Sequence, residues 1–289
     1  DPDLQGRNSI DRAIRELDAR DAGNPGSGGA DRNHFPFSRT AALPLSRDVR
    51  IVRQHRSGLV ALAKPAGLRS HPNRSGVDRG SLLSAAYDLN GECYHWAEPG
   101  TGRDRFFHLA HRLDAPTSGI IIGSTDDNLA AAAREEFRAG RVRKFYFAVV
   151  RSDGGNPMPG VWRDSLQKSS ERGRMRTHVR RGAEVATTRV LDVTPGRLDS
   201  GCALLKLSLE TGRTHQIRVQ CAHRHHPVVG DRNYGNFRFN RRIAERSGYK
   251  RMFLHASELS FDFIFQETRI EFAAEVPRPS EFDELLSGR

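Results

Sequence analysis

The chain has 289 residues and a formal charge of +11, from 46 Lys and Arg against 35 Asp and Glu. That length allows one large domain or two small ones with a substantial core, and no apolar run of about 18 residues or signal-type segment points to a membrane or to export. Three widely spaced cysteines, Cys93, Cys202 and Cys221, with no C-x-x-C, suit a reducing cytosol and argue against a disulfide framework or a structural zinc module.

Residues 1–45 read as an N-terminal extension. Ser9 caps a short helix to Arg20 with Ile10, Ile14 and Leu17 on one face, and a Gly-rich linker follows from Gly23 to Gly29. Residues 46–289 form the main domain. It opens with a strand pair, Val49–Val52 and Leu59–Ala63, that runs into a Lys64-Pro65-Ala66-Gly67 turn. Ser81 to Tyr87 reads as a short helix and Gly91 to Arg105 as loop. The run His111-Arg112-Leu113-Asp114-Ala115-Pro116-Thr117-Ser118-Gly119 places a carboxylate in a turn ahead of Ile120-Ile121-Ile122, an apolar run that predicts a buried strand.

Thr125-Asp126-Asp127 caps a helix carrying Leu129, Ala132, Ala133 and Phe137 that ends at Gly140. Arg141 to Val150 alternates as a strand, with Tyr146 opposite in face to Phe145 and Phe147. Residues 151–182, with basic tracts at Arg172 to Arg176 and at Arg180-Arg181, read as an excursion off the sheet with a solvated basic face. Strands resume at Glu184–Val193, at Leu205 to Leu209, from Leu259 to Phe265 and at Arg269–Ala273. Ser280 starts a last helix with Phe282, Leu285 and Leu286. Many strands with few short helices give an α+β fold with a mixed, largely antiparallel sheet.

Nearly all the positive charge is arginine, since lysine occurs only at 64, 144, 168, 206 and 250. Its flat fork matches phosphate edges and stacks on bases, so the balance suits a nucleic-acid binder. GC-rich codon usage would explain the preference for Arg over Lys but not the net charge. Four polar blocks interrupt the apolar strands: Lys64 to Gly67, His111 to Gly119, Lys144 to Ala148 and Thr211 to Arg218. They offer a single acid, where a metal hydrolase needs two or three ligands. No G-x-S-x-G, P-loop or G-x-G-x-x-G is present. Cys221, His223, His225 and His226 cluster in sequence, but adjacent histidines point apart, so no metal is expected. What remains is a lone carboxylate in a basic, aromatic-lined cleft.

His111 to Gly119 closely resembles the signature of the RluA-type pseudouridine synthases. So do Lys64 to Gly67 with His71-Pro72, Lys144-x-Tyr146-x-Ala148, Glu210 to Val219, Pro227 to Asp231 with Tyr234-Gly235, and Leu254-His255-Ala256. The blocks follow the family's order from about residue 47 to 279. The resemblance implies a cytoplasmic isomerase that converts specific uridines of structured ribosomal or transfer RNA to pseudouridine without a cofactor, on a sheet with a central cleft. No obligate protein partner is evident.

It further implies that Asp114 is the nucleophile, that Arg218 holds it, that Tyr146 stacks on the target base, and that Arg112 fills the space left when that base flips out. Arg213, His215 and Gln216 are expected to contact RNA or to support the site, and Lys64 to contact phosphate or to be structural. Ala115-Pro116 and Gln220-Cys221 depart from the family pattern without removing a catalytic group. The rival reading is a non-catalytic RNA-binding protein on the same fold; retention of Asp114, Tyr146 and Arg218 together speaks against it.

Overall fold

Apolar alternation and short apolar runs generate most of the framework. A computed structural model describes residues 43–152, 155, 157–171, 174–197 and 199–288. The expected helix at 9–20 and the linker after it lie outside the described residues, as do Arg172 and Gly173 of the basic tract.

The strands are β1 (Arg50–Gln54), β2 (Leu59–Lys64), β3 (Gly76–Val77), β4 (Ala86–Asp88), β5 (Cys93–Ala97), β6 (Asp104–Leu109) and β7 (Ser118–Ser124). Helix α1 (Asp127–Arg138) precedes β8 (Arg143–Arg151), β9 (Gly160–Glu171), β10 (Arg174–Val179), β11 (Glu184–Pro195) and β12 (Cys202–Leu209). Helices α2 (Gln216–His223) and α3 (Phe237–Ser247) lead to β13 (Leu254–Phe265), β14 (Thr268–Glu275) and α4 (Glu281–Leu286). All described strands join one mixed sheet, ordered β10-β9-β11-β12-β8-β13-β7-β6-β5-β4-β3, with β14 on β13, β2 on β7 and β1 on β2. Among these pairs only β7 and β13 run parallel, through Ser118–His255 and Gly119–Ala256. No helix among the described residues is long and apolar enough to cross a membrane.

The core lies on both faces of the centre. Every residue of β7 is buried. Its Ile120 and Ile122 pack with Leu59, Ala61 and Phe261, whereas Ile121 enters a second cluster with Leu62, Tyr94 and Phe107. Asp126 caps α1 by accepting from the Leu129 N–H at 3.0 Å, as the sequence predicts. Gly119 has a φ of +119°, and a Cβ there would lie 2.1 Å from the Ala256 carbonyl oxygen. Only glycine lets β7 approach β13 this closely, which explains why the motif ends on it.

Three local expectations are corrected. Ser81 to Tyr87 forms bridges and β4 instead of a helix. Leu82 and Leu83 are both fully buried, and the hydroxyl of Ser81 bonds back to the Asp78 carbonyl, so the segment packs in extended form. Gly91 to Arg105 contains β5 and the start of β6. The 151–182 segment is no excursion: β9 pairs with β11 and β10 with β9, extending the sheet. Its polarity arises because β11 begins opposite Leu166, so the outer half of the β9–β10 hairpin has only itself to pair with.

Candidate active site

Asp114 sits in the β6–β7 connection, and the 64–71 segment fastens that connection. The Lys64 ammonium donates to the carbonyls of Pro65, Leu68 and Ala115 at 3.1, 2.7 and 3.0 Å, and the Gly67 N–H donates to Ala115 at 2.8 Å. The Ser70 hydroxyl donates to the Leu113 carbonyl at 2.7 Å and accepts from the Leu113 N–H at 3.0 Å. Asp114 is thus bracketed by two main-chain clamps, and the Thr117 N–H closes the turn onto its carbonyl at 3.0 Å. Burial pushes Lys64 down to about 7 against the pull of Asp114, yet its three carbonyl acceptors match the three donors only an ammonium has.

Arg218 links two carboxylates. Its Nη1 donates to Asp114 Oδ2 at 2.8 Å, while Nε and Nη2 form a fork with Asp231 at 2.7 and 2.9 Å. Asp231 also accepts the N–H groups of Asn233 and Tyr234 at 2.8 and 3.1 Å. Burial opposes the charge on Arg218, but Asp231 and then Asp114 outweigh it and hold the guanidinium above its ordinary range. Burial likewise pushes Asp231 up, but Arg218 and the two N–H donors hold it below the usual carboxylate range.

The helix carrying Arg218 is buried from Gln216 through Cys221. Its polar side is satisfied internally. Gln216 accepts from the Thr211 hydroxyl and the Arg213 N–H, and donates to Thr187 and Thr188. Gln220 accepts from Thr188 at 2.6 Å and donates to Asp164 at 2.8 Å. These bonds pin α2 to β9 and β11 and aim Arg218 at the Asp114 turn.

Asp114 and His215 lie where two open clefts meet. One, of about 660 Å³, is lined by Arg69, His71, Arg112, Lys144, Tyr146 and Arg213 among others. The second, of about 750 Å³, carries Arg232, Lys250 and Arg251. Arg213 and Thr214 connect the first to a third basin of about 520 Å³ bearing Lys168, Arg180 and Arg181. Tyr146 is half-buried, and burial, then the charge of Asp114, raises its phenol above the ordinary value, so it is neutral. Arg112 is exposed and donates to His71 Nε2 at 2.9 Å, with the His71 ring stacked on Tyr87. His111 stacks on Phe137 and accepts from the Ile122 N–H; burial, then Lys144, drops it to about 3. His111 is therefore a neutral strut.

Asp114, Arg218, Tyr146, Arg112, Arg213 and His215 come together around the clefts. Lys64 and Gln216 are buried with their donors engaged by the protein, which favours the structural one of the two roles expected of Lys64 and the supporting one of the two expected of Gln216. Asp231 and Tyr234 are the residues the sequence reading left without a role. The available signal was chemical: an arginine buried deeply enough to hold Asp114 needs a further acid to keep its charge. Of the Cys221–His226 cluster, Cys221 is buried inside α2 and His226 bonds the Arg151 carbonyl.

The family model for RNA pseudouridylate synthase matches residues 58–223. A tRNA pseudouridine synthase C of Haemophilus ducreyi is 31% identical over 209 residues, covering 70% of this chain and 81% of the relative. A ribosomal large subunit pseudouridine synthase D of Xylella fastidiosa is 32% identical over 255 residues, covering 84% and 70%. Among solved structures, human RNA Pseudouridylate Synthase Domain Containing 4 aligns with a TM-score of 0.55 and 26% identity, over 82% of this chain and 91% of that one. Human RNA Pseudouridylate Synthase Domain Containing 1 shares the fold, with a TM-score of 0.56 at 24% identity over 82% and 87%.

Proposed function

Because the chain belongs to the RNA pseudouridylate synthase family, in its RluA-type branch, we propose that it isomerises specific uridines of transfer or ribosomal RNA with Asp114 as the reacting carboxylate. The observation that carries this reading is the cleft-facing Asp114 held by the buried Arg218 at 2.8 Å, with Tyr146 lining the same cleft. The N1–C1′ bond of the uridine must break, the freed uracil must turn, and a C5–C1′ bond must form. The C5 proton leaves and N1 regains one, so the reaction needs no oxidant, reductant or co-reactant. A carboxylate serves either as covalent nucleophile at C1′ or as the base that opens a glycal.

Arg218 counters the desolvation that a seated base imposes on Asp114. The neutral Tyr146 is a stacking platform, and as a route for the C5 proton it must pass one on as it accepts one. A duplex or stacked loop hides C1′ from a carboxylate in a cleft, so the target nucleotide must leave its stack, and Arg112 at the rim is placed to occupy the gap. The three connected basins give the phosphates a basic track on either side of Asp114.

Asp114→Asn should abolish tritium release from RNA carrying 5-tritiated uridine while RNA binding persists. Full release by that variant would overturn the assignment and favour a non-catalytic RNA-binding role.

A further inference from the structure

Resting on the reading of Asp114 as the reacting carboxylate, we propose that Tyr234 fixes His215 as the tautomer with its proton on Nε2. In that form His215 is a positioning residue. It secures the Oδ2 edge of Asp114 beside Arg218 and leaves Oδ1 to meet the ribose.

The backbone marks His215 first. It precedes α2 at φ +57°, ψ +21°, the left-handed region, and its side chain makes no capping hydrogen bond to the helix. Residues other than Gly occupy this region uncommonly, His less so than most, and a backbone held there persists where the surroundings demand it. Here the ring is drawn to two other groups. Nδ1 lies 2.8 Å from Tyr234 Oη, and Nε2 lies 3.7 Å from Asp114 Oδ2.

The proton positions follow from the partners. Tyr234 Oη already accepts the Thr177 N–H at 2.9 Å, and its own hydrogen is free to go to Nδ1. A bare Nε2 would aim a lone pair at a carboxylate, whereas an N–H there is attracted. Burial lowers the imidazole against the pull of Asp114, and Arg218 adds to the lowering, so the ring carries one proton. Both arguments place it on Nε2.

Tyr234 is tied to the whole constellation. Its ring lies 5.1 Å from the Arg218 guanidinium, and its backbone N–H bonds Asp231. One residue therefore braces both groups that face Oδ2. No hydrogen bond among the described residues reaches Asp114 Oδ1. That oxygen is left for the substrate.

Long-range nitrogen–proton correlation spectra of the wild-type imidazole should show a protonated Nε2 and a bare Nδ1 at neutral pH, and Tyr234→Phe should weaken that preference. His215→Gly relieves the backbone and should unfold no earlier than wild type, yet lose turnover about tenfold or more, on the order of one polar contact to a charged group. The RNA concentration for half-maximal rate should change little, and His215→Gln, which restores an N–H at similar reach, should recover part of the rate. A proton on Nδ1, a doubly protonated ring, or His215→Gly turnover within twofold of wild type would overturn the inference. Full activity of Asp114→Asn would instead remove the reading of the site itself, so the two failures are distinguishable.

Discussion

Asp231→Asn tests whether Asp114, the proposed reacting carboxylate, depends on a second, hidden one. Asp231 is 0% exposed and accepts four hydrogen bonds, two from Arg218 and one each from the N–H groups of Asn233 and Tyr234. The amide keeps one acceptor oxygen in place of Oδ1, preserving contacts to Nη2, Asn233 and Tyr234. Its NH2 then faces Arg218 Nε across the 2.7 Å now spanned by a charge-assisted bond. Two donors cannot share that gap, and the guanidinium loses its buried counter-charge. Breaking a buried pair from one side costs about 3–5 kcal/mol, a large share of the roughly 5–15 kcal/mol of a whole domain. Arg218 then swings toward Asp114 alone, and misplacing a reacting group by about 1 Å lowers turnover by on the order of a hundredfold. Urea unfolding gives the first quantity, and tritium release at a temperature where the variant's circular dichroism matches wild type gives the second. If Asp231 acts through Arg218, adding Asp231→Asn to Arg218→Gln should cost little more than Arg218→Gln alone. Wild-type stability with wild-type release in Asp231→Asn would refute the reasoning.

Acid should destabilise the fold below pH 6.5, well before ordinary carboxylates protonate. His111 and His255 are lowered to about 3 and about 4 by burial, so the unfolded chain takes up protons that the folded one refuses. Stability is full above the unfolded value and is lost as pH falls through the window down to those values, by roughly 1–2 kcal/mol per histidine at pH 5. Asp231, depressed in the fold, adds to the loss only at lower pH. Urea midpoints at pH 7.5 and 5 check this, and a His111 ring that titrates near 6.5 would contradict it. On the RNA side, Lys168→Gln, Arg180→Gln and Arg181→Gln together should reduce the log–log salt slope of binding by about 2, the share of three phosphate contacts at about 0.7 each on single strands. Arg163→Gln lies outside the lining of the three basins and should leave the slope unchanged; equal slopes for the two proteins would remove the outer basin from the RNA track.

Periodicity reveals an element only when its two faces meet different surroundings. β8, β12 and β13 were legible for that reason, as was α1 with its Asp126 cap, whereas β7, buried throughout, was legible as an uninterrupted apolar run. The hairpin of β9 and β10 was not, because its outer half projects past β11 and is polar on both faces. α2 was hidden by the opposite circumstance: it is buried on every side, and its polar residues are satisfied by Thr187, Thr188 and Asp164 on neighbouring strands. α3 did carry a signal in the Asn236 cap, the buried pair Phe239 and Ile243 four residues apart, and Gly248 at its end.

For the site, the motif blocks singled out Asp114, Tyr146 and Arg218 but did not distinguish the two acids that share Arg218. Arg218 reaches 104 residues back to Asp114 and only 13 forward to Asp231, and it bonds both. A string of letters shows two aspartates near a shared arginine and assigns them no difference. The fold does so through exposure: the side chain of Asp114 is 26% exposed and that of Asp231 is 0%. A carboxylate with three or four fixed donors and no access has no lone pair to offer a sugar, whatever its charge. A carboxylate held on one oxygen, with the other turned to a cleft, has both orientation and reach. Two acids share one guanidinium, and access to the cleft decides which of them can react.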